Sequence, residues 1–85
     1  MINKTENPAE WALLMFELSD AKEHLGNLIE VEMDSEDFSE QEFRIALAHI
    51  YSHLNRAWNM RRNSGELTSE QFDSFAQFPE DIKPL

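Results

Sequence analysis

The stretch Phe38–Arg62, FSEQEFRIALAHIYSHLNRAWNMRR, decides the fold. Ser39 followed three residues later by Glu42 is the capping-box pair: the hydroxyl takes one orphan N–H of the first turn, and the carboxylate reaches back to the cap's own N–H. Phe38 before the cap and Phe43 after it match the hydrophobic staple that fixes how a chain enters a helix. Phe43, Leu47, Ile50, Tyr51, Leu54, Ala57 and Trp58 then recur at threes and fours, the period of one helix face. Arg62 supplies a basic last turn and Gly65 a candidate stop. The spacing predicts a helix over about 40–62.

Upstream, Asn7-Pro8-Ala9-Glu10 reads as a second helix start, with Asn7 as cap, Pro8 at the first helical position and Glu10 reaching back. Trp11, Leu14, Met15, Leu18, Ala21, Leu25, Leu28 and Ile29 form its stripe, and the helix is predicted over about 8–33. Lys22 interrupts the stripe but can lay its stem along apolar neighbours. Gly26 costs about 1 kcal/mol inside a helix, which leaves open a break at Gly26-Asn27. The run Trp11–Phe16 is apolar all round, so Leu13 and Phe16 point away from the stripe and need cover of their own.

Downstream, Leu67-Thr68-Ser69-Glu70-Gln71-Phe72 repeats the capping device, with Thr68 as cap, Gln71 as its partner and Leu67 stapled to Phe72. The helix predicted here is short, about 69–77, because Pro79 disfavours helical geometry at Phe78. Residues 1–6 and 79–85 read as irregular.

The expected fold is therefore all-α and a single small domain over 1–85. It is an antiparallel hairpin of helices 8–33 and 40–62 with a short third helix. The short connection Asp34–Ser39 makes the long helices neighbours and pairs Leu18 with Leu54, Leu25 with Leu47 and Ile29 with Phe43. Phe72, Phe75 and Phe78 are expected to fold back onto Trp11, Phe16 and Trp58 as one aromatic cluster. A thin hairpin leaves apolar surface uncovered, which predicts a homodimer closing as a four-helix bundle, or contact with another protein.

Composition narrows the function. The 85 residues contain no Cys, so disulfides, thiolate metal sites and a thiol nucleophile are excluded. Net charge is −10, with 12 acids against 3 bases before Ile45 and three arginines without an acid between Ile45 and Ser64. Such a surface repels nucleic acid and anionic membrane. No apolar run approaches the ~20 residues that span a bilayer, and the opening residues lack a signal-peptide core. These features fit a cytoplasmic protein.

Three features carry possible chemistry. His49 and His53 lie one turn apart on the second helix, with Glu42 on the same side: two imidazoles and a carboxylate are ligands for zinc or a similar metal. His24 plots on the outer face of the first helix and is not expected to join them. Arg61 falls on the apolar stripe beside Trp58 and opposite Trp11, where a guanidinium can stack on indole. Asn55 and Asn59 plot outward and read as candidate contact residues. No nucleophile constellation and no glycine-rich phosphate loop occurs, so no enzymatic activity and no organic cofactor is expected.

The leading functional expectation is a non-enzymatic protein-interaction or regulatory module working through Trp11, Leu13, Phe16, Trp58 and Arg61. One alternative is an acidic mimic of nucleic acid that inhibits a basic protein through Glu10, Glu17, Asp20, Glu23 and Glu30. The other is a metal-binding protein built on His49, His53 and Glu42.

Overall fold

A computed structural model describes residues 1–85. It is all-helical: α1 spans Pro8–Glu30, a single 3-10 turn covers Glu32–Asp34, α2 spans Glu40–Asn59 and α3 spans Ser69–Phe75. α1 and α2 form the antiparallel hairpin, and α3 crosses its open end against α2. No helix is long and apolar enough to cross a membrane.

All three helices start where the sequence signals place them, and the reciprocal capping bonds form at two of the three. Ser39 Oγ accepts from the Glu42 N–H, and Glu42 Oε2 accepts from the Ser39 N–H. Thr68 and Gln71 make the same pair at α3. Asn7 does not cap α1 with its side chain. Its Oδ1 accepts from the Asn3 N–H instead, and Glu10 Oε2 accepts from the Asn7 side-chain amide and the Gly65 N–H rather than from the Asn7 backbone N–H. The ends are shorter than expected. α1 closes at Glu30, and Met33 belongs to the 3-10 turn. α2 closes at Asn59, so Met60–Arg62 form a turn, and α3 closes at Phe75. Gly26 lies inside continuous α1, so the break at Gly26-Asn27 does not occur.

Residues 1–6 and 79–85 are irregular, as expected, but the N-terminal segment is packed. Ile2 is buried, and its N–H donates to Arg61 O at 2.7 Å. It joins Leu14, Ala57 and Met60 in a core cluster packed by Trp11, Leu67 and Phe75. A second cluster, Ala21, Leu28 and Ile50, holds the loop end of the hairpin with Phe38, Ala46 and Leu47.

These clusters show where the long helices meet. Leu14, Ala21 and Leu28 repeat every seven residues, as do Ile50 and Ala57 across from them. The alanines let the backbones approach, so the contact line runs along one edge of the apolar stripe rather than its middle. Leu18, Leu25 and Ile29 are left exposed beside it.

The expected single aromatic cluster does not form. Phe75 enters the Ile2–Leu14 core, Phe72 lies under the Arg56 guanidinium, and Phe78 meets Tyr51 edge to face. Asn55 and Asn59 do not face outward as contact residues. Asn55 Nδ2 donates to Ala76 O, and Asn59 Nδ2 donates to Phe75 O and Gln77 O. Together they satisfy carbonyls that the end of α3 leaves without helical partners.

Candidate metal centre

The contact line that buries Leu14, Ala21 and Leu28 also turns Glu17 and His24 toward α2. Both residues lie three positions after a seam residue, where the intervening core position of a heptad falls. On α2, His53 lies in the same seam between Ile50 and Ala57, and His49 lies one turn before it.

Glu17 is buried, and its two oxygens divide between two partners. Oε1 accepts from Arg56 Nε at 2.9 Å and Oε2 faces His53 Nδ1 at 2.8 Å. An ionised carboxylate only accepts, so the nitrogen facing it carries the proton. A neutral His53 is thereby held as the Nδ1–H tautomer. Arg56 Nη2 stands 3.2 Å from that same nitrogen, so both donors gather on one carboxylate. Arg56 itself is sheltered on its other side by the Phe72 ring, 4.5 Å from the guanidinium carbon. The acid is thus held in a buried, fully paired arrangement and is no part of an outward acidic surface.

The consequence falls on the far side of the imidazole. With its proton on Nδ1, His53 presents the lone pair of Nε2, and His49 Nε2 stands 3.2 Å from it. With His53 neutral, its Nε2 is the acceptor and the His49 Nε2–H the donor of that contact. His24 completes the group: its ring stacks on His53 at 13° between planes, 5.3 Å between centroids, and lies 4.2 Å from the His49 ring. One ring nitrogen from each of the three lies within 4.8 Å of the others. The outer-face assignment of His24 is thus corrected, for the same reason that Leu18 is exposed: α1 is rotated relative to the middle of its stripe.

His49 is held below the ordinary imidazole value. Lost hydration in the crowded cluster is the main cause, followed by repulsion from His24, His53 and Arg56, with Asp20 working weakly the other way. A neutral imidazole is the form that ligates a metal.

Glu42 does not share the ligand cluster. Its carboxylate is engaged at the Ser39 N–H, and it lines an open cavity of about 460 Å³ together with His24, His49, Glu32, Phe38 and Ile45. The remaining sequence-derived residues lie at the other end of the hairpin. The Arg61 guanidinium carbon lies 3.7 Å from the centre of the Trp58 ring, and Asp81 accepts from both Trp58 Nε1–H and Arg61 Nη2–H. Those bonds, with Trp58 as the larger contributor, hold Asp81 below the ordinary carboxylate range. Trp11 is half-buried against the Ile2–Leu14 core. Leu13 and Phe16 remain exposed in a groove shared with Leu67 and Phe72, so α3 borders that face without closing it.

Comparison with protein-family models, with curated proteins and with solved structures found no match for this chain.

Proposed function

We propose that the chain binds a divalent transition-metal ion of the zinc class through His24, His49 and His53, with Glu17 as the acid that orients His53. The role is that of a small non-enzymatic binding module whose ligand is a metal ion. One observation carries it: Glu17 fixes the His53 tautomer so that Nε2 presents its lone pair toward His49 Nε2, 3.2 Å away. Two nitrogens at 2.0–2.1 Å from a tetrahedral zinc stand about 3.3 Å apart. The metal-free nitrogens already have that spacing. A carboxylate on the non-ligating nitrogen of a metal-bound histidine is the recurrent outer-shell arrangement.

The donor set agrees. Three imidazoles without a thiolate suit zinc, copper or nickel rather than calcium or magnesium, which take oxygen ligands. An ion between His49 and His53 takes the place of the shared proton, which moves to Nδ1 of His49. His24 is half-exposed and held by stacking, so turning its ring into the site disturbs little of the core. His24 and His49 both border the cavity, which gives a fourth coordination position access to water or to a small ligand.

Isothermal titration of the purified chain with zinc chloride tests the reading. One ion per chain is expected, and the His49→Ala variant, altered at an exposed position, is expected to lose binding while its metal-free melting temperature stays close to that of the wild type. Equal affinity of the two proteins would overturn the reading.

A further inference from the structure

We infer that the face of the hairpin opposite the histidine cluster is the contact surface for a second copy of this chain, which closes the two hairpins into a four-helix bundle. Leu18, Leu25 and Ile29 on α1 follow each other at seven and four residues, and Phe43, Leu47 and Leu54 on α2 at four and seven. The register that brings Ala21 to Ile50 and His24 to His49 also sets Leu18 beside Leu54, Leu25 beside Leu47 and Ile29 beside Phe43. The six side chains make one continuous strip down the hairpin. Leu18 is 40% exposed, Leu25 and Leu54 are each 43%, and Ile29 is 62%.

The surface area of the whole chain leaves room for a partner of standard size. A folded monomer of 10.0 kDa exposes about 5,200 Å² by the usual scaling of area with mass. This chain exposes 6706 Å². The excess of about 1,500 Å² exceeds the roughly 800 Å² that each partner contributes to a standard stable interface. Burial tells the same story, since only 10 of the 85 residues are buried and the molecule is drawn out to 47 × 29 × 24 Å. The strip is the longest run of exposed apolar side chains shared by both long helices, and it is where such a partner gains most.

Charge selects the occupant. With a net charge of −10, two copies repel wherever their acids meet. Asp20, Glu23 and Glu30 fall on other sides of α1, and the single ionic side chain of α1 on the strip is Lys22, whose stem can lie across apolar neighbours. A basic partner would dock on the acidic sides. On α2, Glu40 and Arg44 border the strip beside Phe43 and Leu47, one acid and one base at i and i+4. An apolar strip with heptad spacing on both helices and a balanced border is self-complementary about a two-fold axis, the arrangement by which helical hairpins pair. The inference is independent of the metal reading, because the strip and the histidines lie on opposite faces.

Light scattering on the full chain without metal tests it, from roughly 5 to 200 µM so that mass action would reveal a weak dimer. A mass of about 20 kDa is expected, twice the 10.0 kDa of the chain. Leu25→Glu and Leu54→Glu are expected to give monomers with helical circular dichroism, and Phe16→Glu, in the groove beside α3, is expected to remain dimeric. If either charged variant unfolds, Leu25→Ala and Leu54→Ala replace it, and each is expected to raise the dimer dissociation constant at least about tenfold. A wild-type monomer at 200 µM overturns the inference and leaves the strip to a different protein. A dimer that survives the strip substitutions but is lost in Phe16→Glu overturns it equally, moving the contact to the groove.

Discussion

Glu17 and His53, 36 residues apart in the chain, meet at 2.8 Å across the seam of the hairpin, and the histidine cluster gathers beside that contact. An acid at a seam position is costly unless its oxygens are fully partnered. Here one oxygen takes Arg56 and the other takes His53, so the acid joins the two helices and sets the imidazole in a single tautomer.

Removing the acid separates these roles. Glu17→Ala strands the Arg56 guanidinium and the His53 Nδ1–H in a buried site, with an expected loss of about 3 kcal/mol of stability. Glu17→Gln keeps a carbonyl acceptor and is expected to cost less than half as much, while weakening zinc binding roughly 10–100-fold through loss of the orienting charge. Urea denaturation checks the first and metal titration the second.

Acid is expected to loosen the metal-free protein below neutrality. The fold holds His49 below its ordinary value, so folding favours the neutral ring. That contribution is present above the unfolded imidazole value of about 6.5 and is lost as pH falls through the lower folded value. Melting temperatures measured from pH 8 to about 5 should fall for the wild type more steeply than for His49→Ala.

The sequence made the helix starts legible because reciprocal caps are local: Ser39 with Glu42 and Thr68 with Gln71 need no knowledge of the tertiary fold. The hairpin register was legible for the same reason, since a short loop leaves little choice. The rotation of α1 about its own axis was not. Eight apolar residues cover nearly half the helix circumference, and only packing decides which edge becomes the seam. The sign that could have settled it is the seven-residue spacing of Leu14, Ala21 and Leu28, with alanine allowing close approach and Glu17 and His24 at the positions between. Missing that rotation hid His24 and Glu17 together.

The end of α3 depends on two amides. Asn59→Ala withdraws the donor shared by Phe75 O and Gln77 O. An expected cost of about 1–2 kcal/mol follows from carbonyls left without their partner. Hydrogen exchange should show the loss concentrated in α3, with the α1–α2 amides near the loop unchanged.

The segment after α3 is fastened by Trp58 and Arg61 to Asp81. Arg61→Ala removes the guanidinium stacked on indole, worth about 1 kcal/mol. Limited proteolysis should then cut residues 77–85 faster while leaving the hairpin resistant. Asp81→Asn should behave similarly at neutral pH, and in the wild type the same release should follow acidification through the lowered carboxylate value of Asp81.

The central claim rests on the geometry of three imidazoles and one carboxylate, and X-ray absorption at the zinc edge of the zinc-loaded chain tests it most directly. The account predicts three histidine nitrogens at about 2.0–2.1 Å with one further nitrogen or oxygen neighbour completing the shell, and a drop to two histidines in His24→Ala. A zinc shell made only of oxygens, or one unchanged by replacing His24, would contradict it.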